Sequence, residues 1–328
     1  MWFERKASSG PSLLLRPATG IVILTILLVI AFSVQTDGVW LSWGNMSSVL
    51  EVTATLGLLA LGEALVITAR EIDISVGSIF GIGALIYLGV SPFIGGFPAV
   101  LASILAGAAI GAANGILVTR FRVSALIATL GTLFIFRGLC YALTEGFSFS
   151  AGDTLRGSWA YAVFGGAEIA GMKVSILWLL AAAVILHGAM FATPFGNRLL
   201  ALGGDEASAQ SRGVATGSMK VAAFVASGAL AGLAGVLEAS KIGFADGSFG
   251  RLQELEAIAV CVIGGCLLTG GRCSIVGVVM AAFLLTGIQS VLVLNSVQPQ
   301  WFMIFLGSLI VGALVFDKAV RRWVLGQV

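Results

Sequence analysis

Ten apolar runs, each close to the length a helix needs to cross a hydrocarbon core, constrain this chain more than any motif in it. A core about 30 Å thick takes roughly 20 predominantly apolar residues per helix, fewer where a helix is short or broken. On that rule spans are predicted near 18–35, 48–69, 75–92, 97–118, 123–144, 174–193, 220–239, 255–269, 274–295 and 300–316. The third and eighth are the shortest. Only 10% of the 328 residues are charged and 58% are hydrophobic, against roughly 25% charged in soluble domains. A soluble core could not hide that much apolar surface. The 44 glycines supply the small residues that let membrane helices approach closely. The sequence therefore predicts an all-α, polytopic membrane protein with about ten transmembrane helices.

Lys and Arg collect on the cytoplasmic side of short loops. With the N-terminus inside, the cytoplasmic set is Arg5, Lys6, Arg16, Arg70, Arg120, Arg122, Arg198, Arg212, Lys220, Arg272, Lys318, Arg321 and Arg322, and the outer set only Arg156, Lys173, Lys241 and Arg251. One miscounted span would erase this asymmetry. Both termini are predicted to be cytoplasmic: a segment 1–17, a single membrane domain 18–316 with a cytoplasmic loop at 194–219, and a tail 317–328. The first apolar run lacks an A-x-A-like cleavage signal before Thr36-Asp37 and reads as a retained span. Aromatics in the outer loop from Glu145 to Lys173, Trp159 and Tyr161, read as an interfacial belt or as a docking point for an external partner.

Several chemistries are excluded. A net charge of +2 with basic residues spread over loop ends gives no nucleic-acid footprint. Cys140, Cys261, Cys266 and Cys273 match no metal spacing and read as small buried side chains, and the single His187 reads as a packed residue. No metal-ligating set, no catalytic set and no G-x-x-x-x-G-K-[ST] phosphate loop occurs. The chain has no ATPase site of its own, and it lacks the several intramembrane carboxylates of a proton-coupled pump. Active transport would draw on another subunit pushing the cytoplasmic loop.

That loop has an internal order. Pro194 and Gly196 are expected to stop the preceding helix, Gly203 and Gly204 to form a flexible break, and Asp205-Glu206 to open a short helix ending at Gly213. It reads either as a coupling helix between the sixth and seventh spans or as a well-capped connector. Upstream, Asp73 and Ser75 in E-I-D-I-S-V-G-S can cap the next helix. That stretch is either a break within the membrane depth or a tight cytoplasmic turn. Glu63 and the mid-span Arg137 are candidates for pathway lining or for a pair, and Asn114 for bonding across helices. Glu254 and Glu256 lie at the outer edge of a span, where they can be solvated.

Six ordered segments carry a resemblance: E-I-D-I-S-V-G-S at 71–78, N-G-I-L-V-T-R-F-R-V at 114–123, I-A-T-L-G-T-L-F-I-F-R-G-L at 127–139, F-G-N-R-L-L-A-L-G-G-D-E-A-S-A-Q-S-R-G-V at 195–214, E-L-E-A-I-A-V-C-V-I-G-G at 254–265 and T-G-G-R at 269–272. Together they resemble the membrane permease subunits of carbohydrate-importing ABC transporters of the ribose, xylose and galactose type. The resemblance implies a ten-helix permease in a bacterial inner membrane, working with a second permease subunit, identical or paralogous. It implies two phosphate-loop ATPase subunits that bind ATP and Mg, and a periplasmic or lipid-anchored sugar-binding protein. It places Gly203, Gly204, Asp205, Glu206, Ala209 and Gly213 in the ATPase groove and adds weight to a functional role for Asp73 and Ser75. The chain departs from the family at Glu63, where a small residue or Met is usual, and at Cys266 and Cys273, where Gly or Thr is usual.

The expected function is inward movement of a monosaccharide-like solute by alternating access, with no cofactor held by this chain. Two rivals stay open: a permease of the same superfamily for a branched-chain amino acid, nucleoside or autoinducer, and an ion-coupled secondary transporter.

Overall fold

In a computed structural model, residues 17–298 and 300–312 are described. The predicted segment 1–17, apart from Pro17, the end of the tenth predicted span and the tail 317–328 lie outside them, as do Arg5, Lys6, Arg16, Lys318, Arg321 and Arg322. The chain is predominantly helical. Besides short helical turns at Val39–Leu41, Asp153–Arg156, Trp159–Tyr161 and Ala162–Gly166, its helices are α1 (Pro17–Gln35), α2 (Trp43–Thr68), α3 (Val76–Ile94), α4 (Gly96–Thr119), α5 (Ala125–Thr144), α6 (Ser175–Ala192), α7 (Pro194–Gly204), α8 (Glu206–Ser211), α9 (Thr216–Ile242), α10 (Gln253–Ile263), α11 (Ile275–Leu294) and α12 (Gln300–Gly312). Seven of these, α2 to α6, α9 and α11, are long and apolar enough to cross a membrane, while Ile21–Gln35 and α12 are shorter apolar helices.

Caps set several boundaries. Ser42 accepts the Asn45 N–H at the start of α2, and Ser274 accepts the Gly277 N–H at the start of α11. The eighth predicted span is corrected. Its run of 255–269 is helical only as far as Ile263, because Gly264 ends the helix and Gly265, Gly270 and Gly271 adopt positive φ. Eleven residues rise about 16 Å, half of the hydrocarbon core. Within a membrane, irregular backbone is tolerated only where protein surrounds it. Here Gly264 backs onto Gly277 of α11 so closely that a Cβ on either would strike the other's backbone.

The core is built around α9, which lies against α2, α3 and α4. The approach is made by main chain. A Cβ at Gly107 would meet the Gly228 carbonyl, and one at Gly228 the Gly107 carbonyl; Gly83 and Gly232 form a second such point between α3 and α9. Helix α2 is the most enclosed span. Helices α5 and α6 are the least, turning Ile127, Phe134 and Ile135, and Val184 and Ile185, outward.

Strand structure is confined to short pairs. Phe149–Ser150 pairs antiparallel with Phe244–Ala245, and Glu168–Ile169 with Met172–Lys173, where Lys173 bonds Glu168 at 2.8 Å. In the predicted outer loop Trp159 is exposed and Tyr161 is half-buried. The loop is held at Phe164, stacked 4.7 Å from Trp178, whose Nε1 donates to the Val163 carbonyl at 2.9 Å.

Candidate functional site

At the end of α2 opposite its Trp43 terminus, the 194–219 loop meets the bundle. The turn out of α6 forms at Thr193, whose hydroxyl accepts the Phe195 N–H, and Pro194 occupies the first turn of α7. Gly203 and Gly204 are not the expected flexible break, because both belong to the last turn of α7. They differ in their surroundings. A Cβ on Gly203 would strike the Thr68 carbonyl and the Gly271 N–H, while Gly204 faces open space. The Gly271 N–H donates to the Thr68 carbonyl at 3.0 Å, so α7, the end of α2 and the 267–272 turn meet through their backbones.

The actual break is at Asp205, in extended conformation, whose Oδ1 accepts the Ser208 N–H at 2.6 Å as the cap of α8. That N–H holds the Asp205 carboxyl below its ordinary value. Glu206 occupies the first turn, where acidic charge suits the helix dipole. Ala209 is buried. Gly213, at φ +83°, closes the helix with its N–H on the Gln210 carbonyl, and Val214 N–H reaches the Ala209 carbonyl at 3.1 Å. The predicted short helix is thus present with both of its predicted terminus signals.

A second cluster lies inside the bundle. Glu63 of α2 accepts the Asp73 N–H at 3.1 Å. Asp73 Oδ1 accepts the Ser75 N–H at 2.9 Å and the Ser75 hydroxyl at 2.5 Å, and Ser75 Oγ in turn accepts Asn114 Nδ2 of α4 at 2.8 Å. All four residues are fully buried. Thr129 of α5 joins them by accepting the Ile74 N–H. The connector between α2 and α3 is therefore buried in protein, and Ser75 caps no backbone; its hydroxyl bridges Asp73 and Asn114. Glu63 Oε2, Asp73 Oδ2 and Asn114 Oδ1 have no hydrogen-bond partner among the described residues. Burial pushes the Asp73 carboxyl up to about 6, against the opposing pull of the Ser75 and Asn114 hydrogen bonds.

Glu63 and Arg137 do not form a pair. Arg137 Nη1 donates to the Phe249 carbonyl at 2.5 Å and the Gly247 carbonyl at 3.5 Å, fixing the turn that leads into α10. Glu254 and Glu256 are packed, not solvated: Glu254 Oε2 is buried over Gly77, and Glu256 accepts Gln289 Nε2 at 3.4 Å. The four cysteines are buried and free, with Cys261 Sγ on the Ala60 carbonyl, whereas His187 lies on the outside of α6 beside Phe191.

Sequence reasoning missed Lys220. Its Nζ lies 2.8 Å from Glu71 Oε1 and 2.9 Å from Glu206 Oε2, joining α9, the 71–78 segment and α8. The available signal was a cation close to the start of α9, its fifth residue, where the dipole disfavours it unless acidic groups are near. At the opposite end of α2 a groove of about 420 Å³ against α11 has apolar walls, among them Val49, Val52, Val293 and Leu294, with Asn45, Ser48, Gln289 and Ser290 as polar groups. Its floor is bonded, Asn45 to Ser290 and Thr53 to Thr286, each at 2.7 Å.

Residues 45–314 match the protein family described as branched-chain amino acid transport system, permease component. The chain is 37% identical over 311 residues to the autoinducer 2 import system permease protein LsrC of Yersinia pestis strain Pestoides F, covering 92% of this chain and 85% of the relative. It is also 37% identical, over 303 residues, to the protein of that name from Yersinia pseudotuberculosis serotype O:3 strain YPIII, with the same coverage of both chains. No solved structure matches the chain.

Proposed function

The chain belongs to the permease-component family of the branched-chain amino acid transport systems, and on that footing we propose that it is the membrane subunit of an ATP-driven importer carrying autoinducer-2 inward. The observation that carries this reading is the 37% identity to LsrC proteins across 92% of the chain. The groove between α2 and α11 is compatible with it: its walls are mainly apolar, and the polar groups set in them, Asn45, Ser48, Gln289 and Ser290, are uncharged. Amide and hydroxyl groups there suit a neutral hydroxylated solute better than an amino acid, whose two charges call for charged partners. In this reading ATP and Mg bind on separate phosphate-loop subunits, a solute-binding protein delivers the cargo outside a bacterial inner membrane, and a second permease subunit completes the path. Closure of the ATPases moves α8, and alternating access follows.

A monosaccharide cargo is the second reading, favoured by the six sugar-permease-like segments. Deleting the gene from its native host and measuring removal of autoinducer-2 and of radiolabelled ribose from the medium separates the two. Loss of autoinducer-2 uptake with ribose uptake intact is the expected result. Unchanged autoinducer-2 uptake overturns the cargo assignment. Recovery of the tagged chain without any ATPase, with uptake abolished by an ion-gradient uncoupler while ATP is maintained, overturns the ATP-driven reading.

A further inference from the structure

Lys220 sits where three parts of the chain with different duties meet. Its ammonium is held between Glu71, which opens the buried E-I-D-I-S-V-G-S segment, and Glu206, the first residue of α8. We propose that Lys220 is a positioning residue that ties α8 to the protein-buried 71–78 segment and makes the two move together. The proposal rests on the reading of α8 as the coupling helix.

The two bridges are unequal. The Lys220 and Glu71 side chains are 12% and 16% exposed, whereas Glu206 is 43% exposed. Water screens the Glu206 contact more, so it is the weaker of the two. The Glu71 contact keeps the ammonium registered to the bundle, and the Glu206 contact holds the small helix against it. Beyond Glu71 the route is short. Two residues on, the Asp73 N–H bonds Glu63 of α2, Ile74 bonds Thr129 of α5, and Ser75 bonds Asn114 of α4. A displacement of α8 thus reaches three spans through one ion-pair cluster and one buried network. The backbone contact of Gly203 with Thr68 and Gly271 holds α7, and α8 packs on α7 across the extended Asp205; Lys220 adds a side-chain route from α8 to the 71–78 segment.

The test uses the full chain with whatever ATPase co-purifies, comparing Lys220→Met, Lys220→Arg and Glu206→Gln by hydrogen–deuterium exchange and by ATP hydrolysis in proteoliposomes. Lys220→Met and Glu206→Gln should raise exchange over residues 205–213 by about twofold to fivefold and leave α11 unchanged. Lys220→Arg keeps the charge and should restore protection. Hydrolysis should persist in Lys220→Met while autoinducer-2 uptake falls, a separation that loss of folding does not produce. Exchange over 205–213 unchanged in both neutral variants overturns the tie. Raised exchange with hydrolysis and uptake falling in parallel overturns the positioning role. Glu206→Gln alters a half-exposed side chain and keeps the test decisive if Lys220→Met fails to assemble. A wild-type chain that retains no ATPase overturns the coupling reading instead, and the exchange comparison still decides whether the tie exists.

Discussion

Adjacent glycines in the 194–219 loop have opposite constraints. At Gly203 a side chain would collide with the Thr68 carbonyl and the Gly271 N–H, both main-chain groups that cannot rotate away. Gly203→Val is expected to cost about 3 kcal/mol or more and to abolish recovery of folded protein in mild detergent. Gly204 faces open space in the last turn of α7. Gly204→Val should leave the unfolding temperature within about 2 °C of wild type while disturbing ATPase binding. The sequence marked both residues without separating them, because the partners of Gly203 lie in two remote segments. Asp73 gives a pH signature. Its folded carboxyl titrates at about 6 against an ordinary 3.8, so the folded chain holds this proton more tightly than the unfolded chain does. Stability from that source is complete below the ordinary value and is lost as pH rises through about 6. The unfolding temperature of the wild type, relative to Asp73→Asn, should fall over that window and level off above it; a difference independent of pH would contradict the assignment.

Among elements, those legible in the sequence were the ones written in hydropathy. The seven long spans begin and end within a few residues of their apolar runs, and α8 carries its Asp cap and its Gly terminator in the local sequence. The two misread elements have a common cause. Helix α7 was read as a helix stop followed by a break because Pro and Gly are punctuation in isolation, yet Pro194 is tolerated in a first turn and Gly203 is retained for close packing. Helix α10 was extended to a full span because the run continues through Leu267 and Leu268. The run is folded back by contacts that no local pattern displays: Gly264 on α11, and the positive-φ Gly270 and Gly271 on Arg70 and on Gly203–Gly204 of α7. The network of Glu63, Asp73, Ser75, Asn114 and Thr129 was illegible as a unit for the same reason. Each member was visible in its own segment, apart from Thr129, and only the fold brings four segments to one point.

For the whole molecule, sidedness decides whether the 194–219 loop can meet an ATPase at all. A fluorescent protein fused after Val328 should fold and fluoresce, and alkaline phosphatase inserted in the 145–174 loop should be active. The reverse pattern would put α8 on the side without ATP and remove the coupling reading altogether. The distribution of burial is that of a membrane bundle: α2 is enclosed by its own chain, whereas α5 and α6 present wide apolar faces of the kind that lipid covers.

The junction of Gly203, Thr68 and Gly271 is made of carbonyls, amides and the absence of side chains. Such a joint is blind to most of what mutation changes. Exchanges of Asn45 and Ser48 at the far end of α2, and of Gln289 and Ser290 on α11, can therefore accumulate without disturbing it, so under the proposed function the contact with the 194–219 loop can be inherited intact while the groove changes. That separation gives a physical reason why one permease architecture can serve relatives named for different solutes.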